Sequence, residues 1–233
     1  MNVLFTDKTG TLTEDKIVLE KYLNIKGEED YGVLKQAFLN AYFQTGLKGN
    51  IDEAVIKRAL ENGMEEVAEK YKKIDEMPFD FSRRRLSVVV TDGTKKQLIT
   101  KGAVEEILNI CTMVDYKGQV SPITKEIKEN IEKISRKLNE DGLRVVAICQ
   151  KNDIEKIENF NLSDEKNMVL LGFIGFLDPP KESAKESISK LNNAGIRVVV
   201  LTGDNAEVTR CVCNKVGINS NNIILGSKID KLS

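Results

Sequence analysis

The sequence predicts an α/β protein in which the two ends of the chain form a parallel sheet and the middle forms an inserted α+β unit with antiparallel strands. Apolar runs near the C-terminus alternate with amphipathic helices, and the opening strand has the same buried character. In the middle, an Asp92-Gly93 turn between two β-branched runs predicts a hairpin. We therefore assign residues 1–17 and 168–233 to one domain and residues 18–167 to the insert.

The domain formed by the chain ends is predicted from an order of strand, helix, strand, helix. After the opening strand, which ends at Asp7, buried strands are predicted over residues 168–177 and 196–201. The helix after each of these two strands is expected to stop at a glycine, Gly195 or Gly217. Because the apolar runs are continuous rather than alternating, both faces of the strands are expected to be covered.

The insert mixes helices with strands. The apolar positions recur at helical spacing in three segments, and an aspartate before a fourth is expected to be its N-cap. The predicted elements are helices over residues 32–45, 103–111 and 127–138, a helix capped by Asp52, a hairpin over residues 86–100 and a strand from Leu143. This mixture predicts an antiparallel α+β unit.

Composition limits the chemistry that the chain can perform. The 35 basic residues nearly balance the 36 acidic ones, so no global charge favours nucleic acid as a partner. The chain has no histidine, which excludes a Ser-His-Asp triad and a histidine zinc site within it. Catalysis is then expected to rest on carboxylates, lysine, arginine, hydroxyls and a hard cation held by oxygen.

No segment of the sequence is expected to cross a membrane. The longest apolar run, residues 168–177, is far below the roughly 20 residues of a spanning helix. The first residues do not resemble a secretory signal, and four irregularly spaced cysteines fit a reducing cytosolic setting. We expect a soluble globular chain of one or two domains.

The opening strand ends on an aspartate that is followed by a hydroxyl-rich, glycine-containing turn. Ligands of open α/β sheets bind at the carboxyl ends of strands, where Asp7 and residues 202–204 are expected to converge. An ionised aspartate there can attack phosphorus and form an acyl phosphate. The residues after it let backbone N–H groups turn toward phosphate oxygens. For an isolated D-x-T-G string, a solvated turn is the better interpretation.

The full string DKTGTLT matches the phosphorylation-site signature of P-type ATPases at every position, and the resemblance covers essentially the whole chain. TGDN at residues 202–205 resembles the family's second phosphate-site motif, and DPPK at 178–181 its domain-hinge motif. Three further strings, KGA (101–103), FDFSRRRLSVV (79–89) and GLRVVAI (142–148), resemble its nucleotide-domain elements. The resemblance implies a haloacid-dehalogenase-like phosphorylation domain, incomplete here, that carries a nucleotide-binding insert.

The resemblance also implies site residues. The catalytic set is Asp7, Lys8, Thr9, Thr202, Gly203 and Asp204. The nucleotide-binding set is Glu53, Phe81, Arg83, Arg85, Lys101, Gly102, Arg144 and Asp178. Mg²⁺ is expected to bind Asp7 and the backbone carbonyl of Thr9, with ATP as substrate.

Within the nucleotide-binding set, Phe81 is expected to stack on adenine and Glu53 to reach the adenine edge. Lys101 is expected to line the nucleotide cleft, with Gly102 allowing close approach, and the arginines to pair with phosphate oxygens. Each motif alone has another interpretation. The triple arginine at 83–85 is typical of a solvated face, KGA of a common turn, Phe81 of core packing and Asp178 of a helix cap.

Thr9 separates two reactions within the superfamily. Phosphatases of this fold usually carry a second aspartate two positions after the nucleophile, whereas threonine cannot activate water. The aspartyl phosphate is therefore expected to persist. The leading hypothesis is the catalytic cytoplasmic region of a P-type cation pump, most similar to the bacterial magnesium-transporting branch. A haloacid-dehalogenase-like phosphatase and a nucleotide-binding module without catalysis remain alternatives.

The family's lysine-bearing phosphate motif and its GDGxND-type loop do not occur before Ser233. The resemblance therefore implies a fragment of a membrane protein, lying at the cytoplasmic face of the cell membrane. Its expected partners are ATP and the membrane and actuator domains of the full pump. The fragment alone is expected to be weakly active or inactive.

Overall fold

The computed structural model describes residues 1–46, 48–152, 154 and 160–229. Its strands are β1 (Val3–Asp7), β2 (Val18–Asn24), β3 (Lys72–Asp80), β4 (Arg85–Thr91), β5 (Lys96–Gly102), β6 (Cys111–Tyr116), β7 (Gln119–Pro122), β8 (Arg144–Lys151), β9 (Met168–Leu177) and β10 (Arg197–Leu201). Its α-helices are α1 (Tyr31–Phe43), α2 (Asn50–Glu61), α3 (Glu65–Glu69), α4 (Val104–Ile110), α5 (Lys125–Glu140), α6 (Glu182–Asn193), α7 (Ala206–Val216) and α8 (Gly226–Ile229). A 3₁₀ helix covers Leu162–Asp164.

The chain forms two compact units. The first unit comprises residues 1–17, 136–144 and 177–233, and the second comprises residues 18–135 and 145–176. Of the helices in the described part of the chain, none is both long and apolar enough to span a bilayer.

The first unit is built on the parallel pair β1 and β10, which places Asp7 opposite Leu201. This pairing confirms that the opening strand joins a C-terminal strand. Helix α7 follows β10, with Asn205 as its N-cap, and ends at Gly217 in the left-handed conformation. Beneath the pair lies a small core of Leu12, Ala184, Ile188, Val198 and Val216. Two paired strands are too few to identify a haloacid-dehalogenase-like sheet, so this part of the predicted fold class stays a prediction.

The second unit contains an eight-stranded mixed sheet. Its strand order is β3-β4-β5-β8-β9-β6-β7, with β2 also pairing with β9. The predicted hairpin is confirmed as the antiparallel pair β4 and β5. At its turn the Asp92 carboxylate accepts hydrogen bonds from the backbone N–H groups of Thr94 and Lys95. The sheet is therefore antiparallel from β3 to β8, but β6 and β9 run parallel.

Strand β9 does not lie where the sequence analysis places it. It was expected in the sheet of the chain ends, but it is a central strand of the second unit, up to Phe176. A Cβ atom at Gly172 would collide with the backbone oxygen of Leu23, because β2 passes directly against this strand. An apolar run indicates that both faces of a strand are buried, which holds for β9. It does not hold for β1 and β10, where Phe5 is 62% and Leu201 57% exposed, so the prediction of buried strands was wrong for this pair.

Helix α2 also begins earlier than predicted. Its N-cap is Gly49, which makes no side-chain capping bond, and Asp52 lies within the first turn. The Asp52 carboxylate is buried and is engaged by Lys101 and Gln44. The prediction of Asp52 as a cap was therefore wrong, because a partner distant in sequence binds its carboxylate.

Candidate functional site

Asp7 is the last residue of β1, and its side chain is exposed. Because β1 and β10 run parallel and in register, the end of β1 lies beside the end of β10. The segment Thr202-Gly203-Asp204 directly follows β10. The structure therefore brings together, at one edge of the pair, the two loops that the sequence analysis expected to converge.

The turn after Asp7 is fixed by hydrogen bonds. The backbone N–H groups of Leu12 and Thr13 donate to the carbonyl of Lys8, at 2.9 and 3.2 Å. The Thr13 hydroxyl accepts from the N–H of Gly10 and donates to the Asp178 carboxylate at 2.6 Å. Gly10 has a φ of 74°, a conformation that favours glycine. This turn is consequently well ordered around the strand end.

Lys8 is buried although it directly follows the exposed Asp7; only 2% of its side chain is accessible. Its ammonium group lies 2.7 Å from Asp204 Oδ2 and 3.7 Å from Asp178 Oδ2. Asp204 also pairs with the guanidinium group of Arg144. Each buried charge therefore has an opposite charge beside it, which offsets the cost of removing it from water.

The structure also redistributes the predicted residues. Asp178 and Arg144, expected to bind nucleotide, both lie in the first unit, beside Lys8 and Asp204 respectively. Asp178 is not a helix cap, because the N-cap of α6 is Lys181. Lys181 instead donates to the carbonyl of Gly10 at 2.6 Å.

The donor groups of this unit fit a partial Mg²⁺ site. The Asp7 carboxylate is exposed, and Asp178 Oδ1 is buried without a hydrogen-bond partner among the described residues. Within that same part of the chain, no group of three or more acidic or cysteine side chains is placed to hold a metal ion. Mg²⁺ is commonly held by one or two carboxylates together with phosphate oxygens. The residues therefore fit a metal ion that binds with a phosphorylated substrate.

Asp204 should make the stability of the protein sensitive to acid. Burial raises its pKa, but the hydrogen bond from Lys8 and the charge of Arg144 outweigh burial and hold the pKa below its ordinary value. Its stabilising effect is thus fully present above the unfolded pKa of about 3.9 and is lost as pH falls through the folded pKa. Thermal melts from pH 7 to 3 should show a shallower acid decline for Asp204→Asn than for wild type. Parallel curves would contradict this assignment.

In the second unit, Phe81 lies in the turn between β3 and β4 and is 90% exposed. Its ring contacts that of Phe79 in a T-shaped arrangement, with the centroids 5.3 Å apart and an interplanar angle of 85°. The interpretation of Phe81 as a core residue is therefore wrong. A largely exposed aromatic face is available to stack on a planar ligand.

Lys101 lies at the end of β5 and is held by two side chains that the sequence analysis did not select. Its ammonium group pairs with Asp52 and lies 3.2 Å from Gln44 Oε1. Gln44 in turn donates to Asp52 at 2.6 Å. Burial lowers the pKa of Lys101, and the Asp52 charge opposes that shift. Glu53, the next residue on α2, is exposed.

The SRRRL string is a solvated face only at Arg84, which is exposed, whereas the side chains of Arg83 and Arg85 are largely covered. Arg84 pairs with Glu106 at 2.7 Å. Arg83 and Arg85 both bind the buried Glu165, a residue that the sequence analysis missed. A Cβ atom at Gly102 would lie 2.7 Å from the backbone oxygen of Arg84, so the KGA segment packs directly against the arginine-bearing turn.

Comparison with known proteins identifies the family of this chain. The model of the family described as P-type ATPase, cytoplasmic domain N, matches residues 35–183. That match covers more than half of the chain, and the chain therefore belongs to the P-type ATPase family.

Individual relatives match over the whole chain. The magnesium-transporting ATPase, P-type 1, of Escherichia coli K12 is 44% identical over 234 residues, which cover 100% of this chain and 26% of that protein. A Salmonella typhimurium LT2 protein of the same name is 38% identical over 237 residues, with 26% of its length covered. The calcium-transporting ATPase 1 of Lactococcus lactis is 30% identical, with 29% covered. The chain spans about a quarter of the length of these relatives.

Proposed function

We propose that this chain is the catalytic cytoplasmic region of a P-type cation-transporting ATPase, in which Asp7 accepts a phosphoryl group from ATP. The observation that carries the proposal is the position of Asp7, exposed at the end of β1 and beside the loop that begins at Thr202. The region would face the cytoplasm, with ion-translocating helices and an actuator domain as partners in the full pump. The second unit, residues 18–135 and 145–176, would bind the nucleotide.

In the proposed reaction, a carboxylate oxygen of Asp7 attacks the γ-phosphorus of ATP. The bond from that phosphorus to the oxygen bridging the β-phosphate breaks, ADP leaves with the bond electrons, and an acyl phosphate remains on Asp7. Lys8 and the hydrogen-bonded turn that follows hold the strand end in place. The phosphoryl oxygens would meet backbone and hydroxyl groups of Thr202, Gly203 and Thr9, the last lying two residues after Asp7.

Asp7 and the backbone carbonyl of Thr9 would hold the metal ion. When bound, Mg²⁺ offsets negative charge on the transferred group. Thr9 also distinguishes this proposal from a phosphatase, because a threonine two positions after the nucleophile supplies no general base for hydrolysis. The acyl phosphate would then last long enough to be coupled to a conformational change, as ion transport requires.

The transported cation is proposed from the relatives. Identity is 44% to the magnesium-transporting protein of E. coli and 30% to the calcium-transporting protein of L. lactis. Magnesium is therefore the cation that we propose for the complete protein.

In the nucleotide-binding unit, Phe81 would stack on adenine and Glu53 would meet the adenine edge. Lys101 would face the phosphates, fixed in position by Asp52 and Gln44. Gly102 packs too closely on the arginine-bearing turn to carry a side chain, so its lack of a Cβ atom makes room for that turn. Arg144 lies in the first unit and pairs with Asp204, so it is not among the residues of this proposed cleft.

Phe81→Ala should weaken ATP binding to this chain by roughly tenfold or more, because stacking of a base on an aromatic ring contributes about 1–3 kcal/mol. The measurement is calorimetric titration with ATP, with and without Mg²⁺. Phe81→Tyr keeps the aromatic face and should bind nearly as well as wild type. Phe5→Ala removes another exposed phenylalanine, from the first unit, and should leave the affinity unchanged.

Saturable binding that Phe81→Ala weakens would support the nucleotide-binding role. Absence of ATP binding by the folded wild-type chain would contradict the proposed function. Equal affinity of wild type and Phe81→Ala would show that adenine binds elsewhere, and a thermal melt of each variant would establish that the samples are folded.

A further inference from the structure

Glu165 is a fully buried carboxylate that is held by three side chains of one strand and its preceding turn. Its oxygens accept two hydrogen bonds from Arg83 Nη1, at 2.9 and 2.8 Å, and one from Arg85 Nε at 2.7 Å. The Ser87 hydroxyl donates a fourth at 2.7 Å and lies 2.7 Å from the hydroxyl of Thr100. Both carboxylate oxygens are therefore bonded inside the protein.

The Glu165 carboxylate remains charged at neutral pH. Burial raises its pKa, but the hydrogen bonds from Ser87, Arg85 and Arg83 together outweigh burial and hold the pKa below its ordinary value. A carboxylate shared by two arginines is a strong and directional anchor, because each guanidinium group presents its N–H groups in a fixed plane. Glu165 thus determines the orientation of both arginines.

Arg83 connects Glu165 to the turn between β3 and β4. Besides the two bonds to Glu165, its Nε donates to Asp80 Oδ2 and its Nη2 to the carbonyl of Pro78, each at 2.9 Å. Asp80 Oδ1 in turn accepts from the backbone N–H of Ser82 at 2.8 Å. Through Arg83, Glu165 is therefore connected to both the end of β3 and the following turn.

Phe81 is the tip of this turn. Because its side chain is 90% exposed, packing around the ring contributes little to its position, and the backbone on either side must supply it. Of its two neighbours, Asp80 accepts a hydrogen bond from Arg83, and the backbone of Ser82 is held by Asp80 in turn. Arg84, with a φ of 47°, completes the turn and accepts from the N–H of Ala103 at 3.1 Å.

We propose that Glu165 is a positioning residue for nucleotide binding. It touches no nucleotide; it fixes Arg83 and Arg85, and these hold the aromatic ring of Phe81 in the binding geometry. The inference rests on the proposed binding of adenine at Phe81. Arg83 donates hydrogen bonds to Glu165, Asp80 and the carbonyl of Pro78. It therefore supports the turn and does not act as a phosphate ligand.

The test is a double-mutant cycle between Glu165→Gln and Phe81→Ala in the 233-residue chain, with ATP titrated by calorimetry. Glu165→Gln should weaken ATP binding about tenfold, and the double variant should bind no more weakly than Phe81→Ala alone. If Glu165→Gln acted only by perturbing the fold, its fold-loss in ATP affinity and that of Phe81→Ala would multiply in the double variant. Glu106→Gln, which removes the acidic partner of Arg84 in the same turn, is the matched control and should change the affinity less than twofold.

If Glu165→Gln does not fold, Arg83→Lys provides the same test, because it keeps a positive charge near Glu165 but loses the bonds to Asp80 and Pro78. Losses that multiply, or a folded variant that binds ATP as wild type does, would overturn the inference. If Phe81→Ala weakens binding while Glu165→Gln does not, only this inference fails. If the folded wild-type chain does not bind ATP, the proposed function fails first.

Discussion

Asp7→Asn should abolish phosphorylation of the chain, with at least a hundredfold loss of label after incubation with γ-³²P-labelled ATP and Mg²⁺. An amide lacks the anionic oxygen that attacks phosphorus, whereas the fold loses nothing, since Asp7 is exposed at the end of β1. The measurement is label retained on an acidic gel. An acyl phosphate is released by hydroxylamine, which separates it from a phosphorylated serine or threonine.

Two controls make this result specific. Asp15→Asn removes another aspartate close to the same turn and should leave the label unchanged. Calorimetry should show that Asp7→Asn still binds ATP, because the proposed nucleotide residues lie in the other unit. Label that persists in Asp7→Asn at the wild-type level would rule out Asp7 as the phosphate acceptor. A wild-type chain that binds ATP and never carries label would match the inactive fragment that the sequence analysis expects.

The helices and the hairpin were predictable because their signals are local. Helix α7 was predicted to stop at Gly217, and it extends from Ala206 to Val216 with Gly217 as its C-cap. The hairpin of β4 and β5 likewise follows from two β-branched runs and a turn. Each of these elements is specified by neighbours within a few residues.

Strand β9 was assigned to the wrong sheet because its signal is not local. Its sequence, MVLLGFIGFL, shows only that the strand is buried on both faces. Which strands lie on either side depends on partners such as β2 and β6, which are distant in sequence. Gly172 carried a signal of close backbone approach, but a glycine does not reveal which backbone approaches it.

The supporting residues of the candidate sites were missed for a similar reason. Motif strings identify residues such as Phe81 and Lys101, but not the buried partners that hold them. Asp52 resembled a helix cap, and Glu165 lies in an ordinary polar stretch, LSDEKN, before β9. Both are buried carboxylates paired with basic residues far away in the chain. An unusual glutamate or aspartate is recognisable only when its burial is known.

Lys8→Met should destabilise the first unit by about 3–5 kcal/mol, the usual cost of removing one partner from a buried ion pair. Methionine fills a similar volume, so the loss comes from charge. Asp204 and Asp178 would lose the ammonium group that lies 2.7 and 3.7 Å from their carboxylates. Hydrogen exchange of the β1 and β10 amides measures the opening of this unit separately from the other. Lys190→Met, on the exposed face of α6, is the control and should leave exchange nearly unchanged.

The double variant Lys8→Met/Asp204→Asn distinguishes a charge effect from a packing effect. If the loss arises from an uncompensated carboxylate, making Asp204 neutral should restore part of the stability, since the remaining amide is less costly to bury than an anion. If the loss arises from altered packing, the second change should add to the first. Exchange in Lys8→Met that matches wild type would show that the pair contributes nothing to stability. Recovery in the double variant would instead show that Lys8 is required to offset the buried charge of Asp204, which connects the stability of the end of β1 to the loop that follows β10.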